Sequence, residues 1–272
     1  MKFGLALGGG GLKGAAHLGI LRVLNEKGLK PDIIVGTSAG SLAAALYVAG
    51  FLPSAGLVAH LPLNFLELES NRLKWPSMGL LDGGPLEAAL QKILGKRTFN
   101  ELDTNMAMVA TDLSTGETVV FAKDQPSFLQ LPGVVYGGDV PVWEAVRASI
   151  SIPGLLVPYK IGPRLLVDGG LTDNVPADIA RALGADLVVA VDLGASASSR
   201  PLNNLVEVLL QSLEIMAHRS TELILNQNAN LVLRPIKRPV GAWEIGAIPE
   251  LIHAGAEEMK KNWPQLQRLL RG

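Results

Sequence analysis

IIVGTSAGSLAAALYVA, residues Ile33 to Ala49, sets three β-branched residues before Gly36-Thr-Ser-Ala-Gly40 and an alanine-rich run after it. A short apolar run of this kind reads as a strand buried on both faces. The run that follows has the length and composition of a helix. Between them a serine stands two positions from a glycine on either side. Small residues there let strand and helix approach closely and hold the serine on a tight bend, the context that a nucleophile elbow requires. Helix capping by Ser38 is the plainer reading, but a cap does not need glycine at both flanks.

Outward from the elbow the same pattern repeats. Phe3-Gly-Leu-Ala-Leu7 reads as a buried strand, and four consecutive glycines, Gly8 to Gly11, follow it. Ala15, Leu18, Leu21, Val23 and Leu24 then recur at roughly helical spacing until Asn25, with Gly28 as a stop. Strand, helix, strand, helix in succession predicts a mainly parallel sheet covered by helices, an α/β fold. Downstream, a helix is expected over Pro85–Leu94 and a hairpin from Met106–Thr111 and Thr118–Ala122. Lys123 to Val140 reads as a loop and Pro141–Ala148 as a short helix. Arg164–Asp168 and Asp186–Val191 read as strands around a helix over Pro176–Leu183. A long amphipathic helix (Pro201–Asn228), a strand (Leu231–Leu233) and a terminal helix (Pro249–Leu270) complete the chain, and Ala195–Arg200 reads as a Ser/Ala-rich loop. With no repeat and no long linker, residues 1–272 are expected to form one domain. The proline-rich segment around residues 53–85 is its expected cap.

The composition narrows the function. Of 272 residues, 48% are hydrophobic and 18% charged, which suits a well-buried core, and the net charge of −1 gives no electrostatic footprint for nucleic acid. The chain has no cysteine, which excludes disulfides and thiolate chemistry and fits a reducing compartment, so a cytoplasmic location is expected. Four scattered histidines and no HExxH give no expectation of a metal. The stretch from Ser38 to Leu52 falls short of the roughly 20 residues that span a bilayer.

A serine needs a base to take its proton. His218 and His253 fall within helical patterns, and His60 precedes Leu61-Pro62 like a surface or lid residue. His17 lies in the first helix, either packed there or turned toward the elbow. Asp168 fits better. It ends the apolar run Leu165-Leu-Val167, so it should lie at the carboxyl edge of the sheet, where α/β sites gather, and Gly169-Gly170 turns the backbone away from it. The spacing therefore suggests a Ser38–Asp168 dyad for acyl transfer. Acyl transfer also needs backbone N–H donors for an oxyanion, and a glycine loop opening a helix supplies them. Gly9-x-Gly11-x-x-Gly14 has the spacing of a dinucleotide turn as well. That reading requires an acid at the end of the second strand, whereas Asp32 stands at its start.

Gly9-Gly-Gly-Leu-Lys-Gly14, Gly36-Thr-Ser-Ala-Gly40 and Asp168-Gly-Gly170 resemble, in order, the three motifs of the patatin-like phospholipases. Ala110-Thr-Asp-Leu113, Ala148-Ser149 with Pro153, and Asp173-Asn-Val-Pro176 extend the resemblance from residue 3 to about residue 193. It implies a three-layer α/β/α sandwich that hydrolyses acyl esters of lipids through Ser38 and Asp168. Gly9, Gly10 and Gly11 map onto the oxyanion glycines, and Lys13 onto the motif's basic position, with either a direct role or a solvated one. No cofactor is implied. The implied partner is a lipid or other acyl ester, met with transient contact at a membrane surface. Leu156 and Gly8 depart from the family pattern and bear on the pocket lining and substrate class. Within the cap, Phe65, Trp75 and Met78 are candidates to line an acyl groove, or else pack as an ordinary loop. A nucleotide-binding protein or a catalytically silent lipid-binding regulator are the alternatives.

Overall fold

The strand Phe3–Leu7 (β1) serves two cores at once. Phe3, Leu5 and Leu7 join one apolar cluster and Ala6 joins another, as the two-residue period of a strand requires. Ile33–Thr37 (β2) does the same, with Ile34 on the first face and Ile33 and Val35 on the second. Both strands are therefore buried on both sides, which explains their unbroken apolar runs.

A computed structural model describes residues 1–51, 78–123, 130–194, 205–241 and 244–272. Its further strands are β3 (Gly79–Leu81), β4 (Asn105–Asp112), β5 (Thr118–Ala122), β6 (Val134–Gly138), β7 (Gly154–Leu156), β8 (Tyr159–Ile161), β9 (Arg164–Asp168), β10 (Leu187–Val191) and β11 (Leu231–Leu233). The described helices are α1 (Ala15–Glu26), α2 (Ala39–Val48), α3 (Gly84–Leu94), α4 (Val142–Ser149), α5 (Ala177–Ala182), α6 (Leu205–Asn228) and α7 (Ile248–Arg271). The main sheet runs β11-β10-β1-β2-β4-β5-β6, with β9 attached to β4 and β8 to β9. Pairing is parallel from β11 to β4 and again between β5 and β6. It is antiparallel for β4–β5, β4–β9 and β8–β9.

Helices α1, α2 and α7 cover the first face, while α5 and Leu225 of α6 cover the second. The result is the expected three-layer sandwich. On the first face α1 and α7 cross closely. A side-chain carbon on Gly19 would run into the Ile252 carbonyl, and one on Gly255 into the Ala16 carbonyl. Glycine at both positions brings the two backbones together.

Two sequence readings need revision or fall elsewhere. Lys123–Val140 is not all loop, because Val134–Gly138 forms β6 alongside β5. Its residues are all half-buried, and its two closing glycines masked the strand signal of Val134, Val135 and Tyr136. Most of the expected cap, including Phe65 and Trp75, lies outside the described residues, as do His60 and Ala195–Arg200. Met78 is exposed, and the residues after it form β3, which pairs with β7 in a small parallel sheet.

Candidate active site

Two strands reach the same edge of β4 from opposite directions. β2 runs parallel to β4, and its pairing ends at Thr37 beside Val109. β9 runs antiparallel, and its pairing ends at Asp168 beside Ala110. The carboxyl ends of β2 and β9 therefore meet head-on over two consecutive residues of β4. The residue after the first strand is Ser38 and the last residue of the second is Asp168. Ser38 Oγ donates a hydrogen bond to Asp168 Oδ2 at 2.5 Å, and both residues are buried.

The chain must bend sharply to leave β2 for α2 at this point. Ser38 has φ 53° and ψ −123°, and no other non-glycine residue among those described has a positive φ. Such a conformation costs about 1–3 kcal/mol and persists only where its surroundings hold it. The flanking glycines make the bend fit. A Cβ on Gly36 would lie 2.6 Å from the backbone of Gly40, and one on Gly40 would strike the Leu7 carbonyl.

Burial pushes the Asp168 carboxyl up to about 6, against the opposing hydrogen bonds from the Ser38 hydroxyl and the Gly170 N–H. At pH 7 it is mostly ionised and can accept a proton. Thr111 Oγ1 donates to the Asp168 carbonyl at 3.0 Å and fixes the backbone at the strand end.

The glycine loop lies against this pair. Gly9 N–H already donates to the Asn174 carbonyl at 3.0 Å. A Cβ on Gly9 would lie 3.1 Å from Ser38 Cβ and 2.6 Å from Asn174 Oδ1, so glycine is needed there for close approach. Gly10 and Gly11 N–H have no protein acceptor among the described residues, and they open the 3-10 turn Gly11–Gly14 that leads into α1. These are the unsatisfied donors that a helix start offers to negative charge.

Other sequence candidates sit elsewhere or do other work. His17 is fully buried with Nε2 2.7 Å from the Gly8 carbonyl, and burial lowers its pKa to about 4. It is thus a neutral ring that donates to Gly8 and ties the loop to α1. His218 and His253 are exposed on α6 and α7. Lys13 is buried, its ammonium 3.0 Å from both the Gly194 carbonyl and Glu214, which straps the loop to α6. Asp32 accepts the Phe3 N–H at 2.7 Å, at the starts of β1 and β2 and away from the glycine loop. An apolar groove runs beside the loop, lined by Gly11, Leu12 and Ala15, by Ala39, Leu42 and Leu46 of α2, and by Ile248. Among the described residues no cluster of three or more His, Asp or Glu is arranged to hold a metal.

The sequence profile of the patatin-like phospholipases matches residues 5–181. The chain belongs to this family. A patatin-like phospholipase domain-containing protein of Caenorhabditis elegans is 34% identical over 199 residues, covering 70% of this chain and 13% of that protein. An uncharacterised NTE family protein of Mycobacterium bovis is 33% identical over 198 residues, covering 72% of this chain and 50% of its own length. The chain thus spans half or less of the length of these curated relatives. The crystal structure of VipD from Legionella pneumophila superposes with a TM-score of 0.53 at 15% identity, covering 96% of this chain and 66% of VipD, a likeness of fold.

Two residues beside the Ser38–Asp168 pair carry contacts that pattern reading did not assign. Asn174 receives Gly9 and packs its side chain between Gly9 and Gly170, and Ser149 receives the Ser38 amide. Both stand in the family motifs Asp173-Asn-Val-Pro176 and Ala148-Ser149, which was the available signal. Neighbouring Asp173 is buried, and neither of its carboxylate oxygens has a hydrogen-bond partner among the described residues. Burial, and then the adjacent Asp178, raise its pKa well above the ordinary carboxylate value.

Proposed function

We propose that the domain hydrolyses carboxylic acyl esters of lipids, with Ser38 as nucleophile, Asp168 as general base, and Gly10 and Gly11 as oxyanion donors. The observation that carries this reading is the 2.5 Å contact between a strained serine and a buried carboxylate at two converging strand ends. Asp168 accepts the Ser38 proton as Oγ attacks the ester carbonyl. The carbonyl oxygen takes up negative charge, and N–H groups already aimed at it stabilise that charge without reorganisation. Collapse expels the alcohol, which leaves with the proton from Asp168, and the acyl group stays on Ser38. Water then attacks this ester, giving its proton to Asp168, and the departing Ser38 oxygen recovers it. Gly9 takes part by leaving room, since its own N–H is spent on Asn174.

Family membership and relatives named as phospholipase-domain proteins favour a lipid ester as substrate. The apolar groove between α1, α2 and α7 begins at Gly11 and Ala39, next to the reacting centre, and suits an acyl chain. Leu205, Leu209, Ile215 and Met216 are exposed along α6 and suit transient contact with a lipid surface.

A fluorophosphonate probe tests the reading. It should label Ser38, and Ser38→Ala should abolish both labelling and hydrolysis of p-nitrophenyl esters. Labelling of another residue, or full ester turnover in Ser38→Ala, would overturn it.

A further inference from the structure

The pairing of β2 with β4 stops at Thr37 and Val109, and the next amide along the chain is that of Ser38. At that step the α4 residue Ser149 enters between the two strands. Its Oγ accepts the Ser38 N–H at 2.8 Å and donates to the Val109 carbonyl at 2.5 Å. A side-chain hydroxyl thus stands where the ladder between β2 and β4 would have continued. Ser41 Oγ, itself 2.8 Å from the Gly36 carbonyl, lies 2.7 Å from Ser149 Oγ. All three serines are buried, so water is not there to replace these bonds.

The residues after Ser149 hold the other half of the pair. The Ser151 carbonyl accepts the Asp168 N–H at 3.0 Å. The Ser151 hydroxyl receives Arg147 Nη1 at 2.7 Å, and the fully buried Arg147 is in turn ion-paired with Glu87 at 3.0 Å. One three-residue segment, Ser149 to Ser151, therefore grips the backbone amide of Ser38 by a side chain and that of Asp168 by its main chain.

We propose that Ser149 is a positioning residue for the Ser38–Asp168 pair: its hydroxyl holds the strained elbow in place and sets the reach of Ser38 Oγ to Asp168. The inference rests on the proposed hydrolase reading. Without the hydroxyl, the Ser38 N–H and the Val109 carbonyl lose their partner together. The elbow then relaxes from its positive φ, and Oγ moves off the carboxylate while the acyl groove is untouched.

The test compares Ser149→Thr with Ser149→Val, two variants of the same shape that differ in the hydroxyl, so the cost of the added methyl cancels. The expected result is that Ser149→Val loses about 100-fold in kcat on p-nitrophenyl butyrate relative to Ser149→Thr, the scale of an ångström-sized misplacement. KM should stay within about 3-fold, and the rate of fluorophosphonate labelling should fall in step with kcat. A merely structural role would lower the folded fraction, measured by circular dichroism, and leave kcat per folded molecule unchanged. Equal kcat in folded Thr and Val variants would overturn the inference while leaving the hydrolase reading intact. If Ser149→Val does not fold, Ser149→Cys, with its weaker donor, takes its place and must fall well below Ser149→Thr, or the inference fails. Absence of both ester turnover and labelling in the unaltered protein would overturn both.

Discussion

Asp168 sits between two opposing influences, with burial pushing its carboxyl up to about 6 and the Ser38 and Gly170 hydrogen bonds holding it back. As the proposed base, Asp168 must be ionised, so kcat/KM should rise through an inflection near pH 6 and level off above it. A pKa near 6 in place of 3.8 also means about 3 kcal/mol against the ionised form in the folded state. Because the folded pKa lies above the unfolded one, the fold loses stability as pH rises toward 6, and the full penalty applies above it. Asp168→Asn should therefore lose 1,000-fold or more in turnover, about the scale of removing a triad member. At pH 8 its melting temperature should equal or exceed that of the unaltered protein. That gap should narrow as pH falls from 6 toward 4 in a thermal-denaturation series. Ser38 and Asp168 were legible in the sequence because each is marked locally, by an apolar run that ends in a glycine-flanked polar residue. Ser149 was not legible as a contact, because its role depends on a gap between β2 and β9 that no local pattern reveals. Nor was the engagement of the Gly9 N–H by Asn174, which joins residues 165 positions apart.

Individual elements were readable where they are buried on both faces or strongly periodic. β1, β2, β10, α1 and α7 lie close to their expected bounds for that reason. β6 was missed because an edge strand ending in two glycines carries a weak β signal, and β3, β7 and β8 because a glycine or a lysine interrupts each three-residue run, whereas the unbroken Leu231-Val-Leu233 of β11 was readable. The crossing of α1 and α7 was also illegible, since an isolated glycine in a helical pattern looks like a mere loss of propensity. Here Gly255 faces the Ala16 carbonyl with no room for a methyl group. Gly255→Ala gains helix propensity and would be stabilising on that ground alone, yet the backbone clash should dominate. The expected outcome is a loss of about 2 kcal/mol in urea denaturation, the usual scale of overpacking. An increase in stability would show that the two helices part readily.

Across the whole molecule, Ser38 and Asp168 meet because a parallel strand and an antiparallel strand share one edge of β4 and end there. The sequence supports a strand before each motif, but the direction of β9 is a property of the assembled sheet. The same assembly leaves apolar side chains of α6 outward, with Ile215 61% and Met216 75% exposed, next to the helix residue that pairs with Lys13. If this face meets lipid, replacing Ile215 and Met216 together by serine should lower turnover of phospholipid in vesicles by about 10-fold. Turnover of p-nitrophenyl butyrate should stay unchanged. Equal losses on both substrates would remove the surface role. The proposed mechanism requires that an acyl group pass through Ser38. Mixing the protein with excess p-nitrophenyl butyrate, quenching in acid within the first turnovers and mapping peptides by mass spectrometry measures this directly. The predicted result is a butyryl group on Ser38 that accumulates before steady state and is lacking in Ser38→Ala. Steady ester hydrolysis with an unmodified Ser38, undiminished in Ser38→Ala, would contradict it.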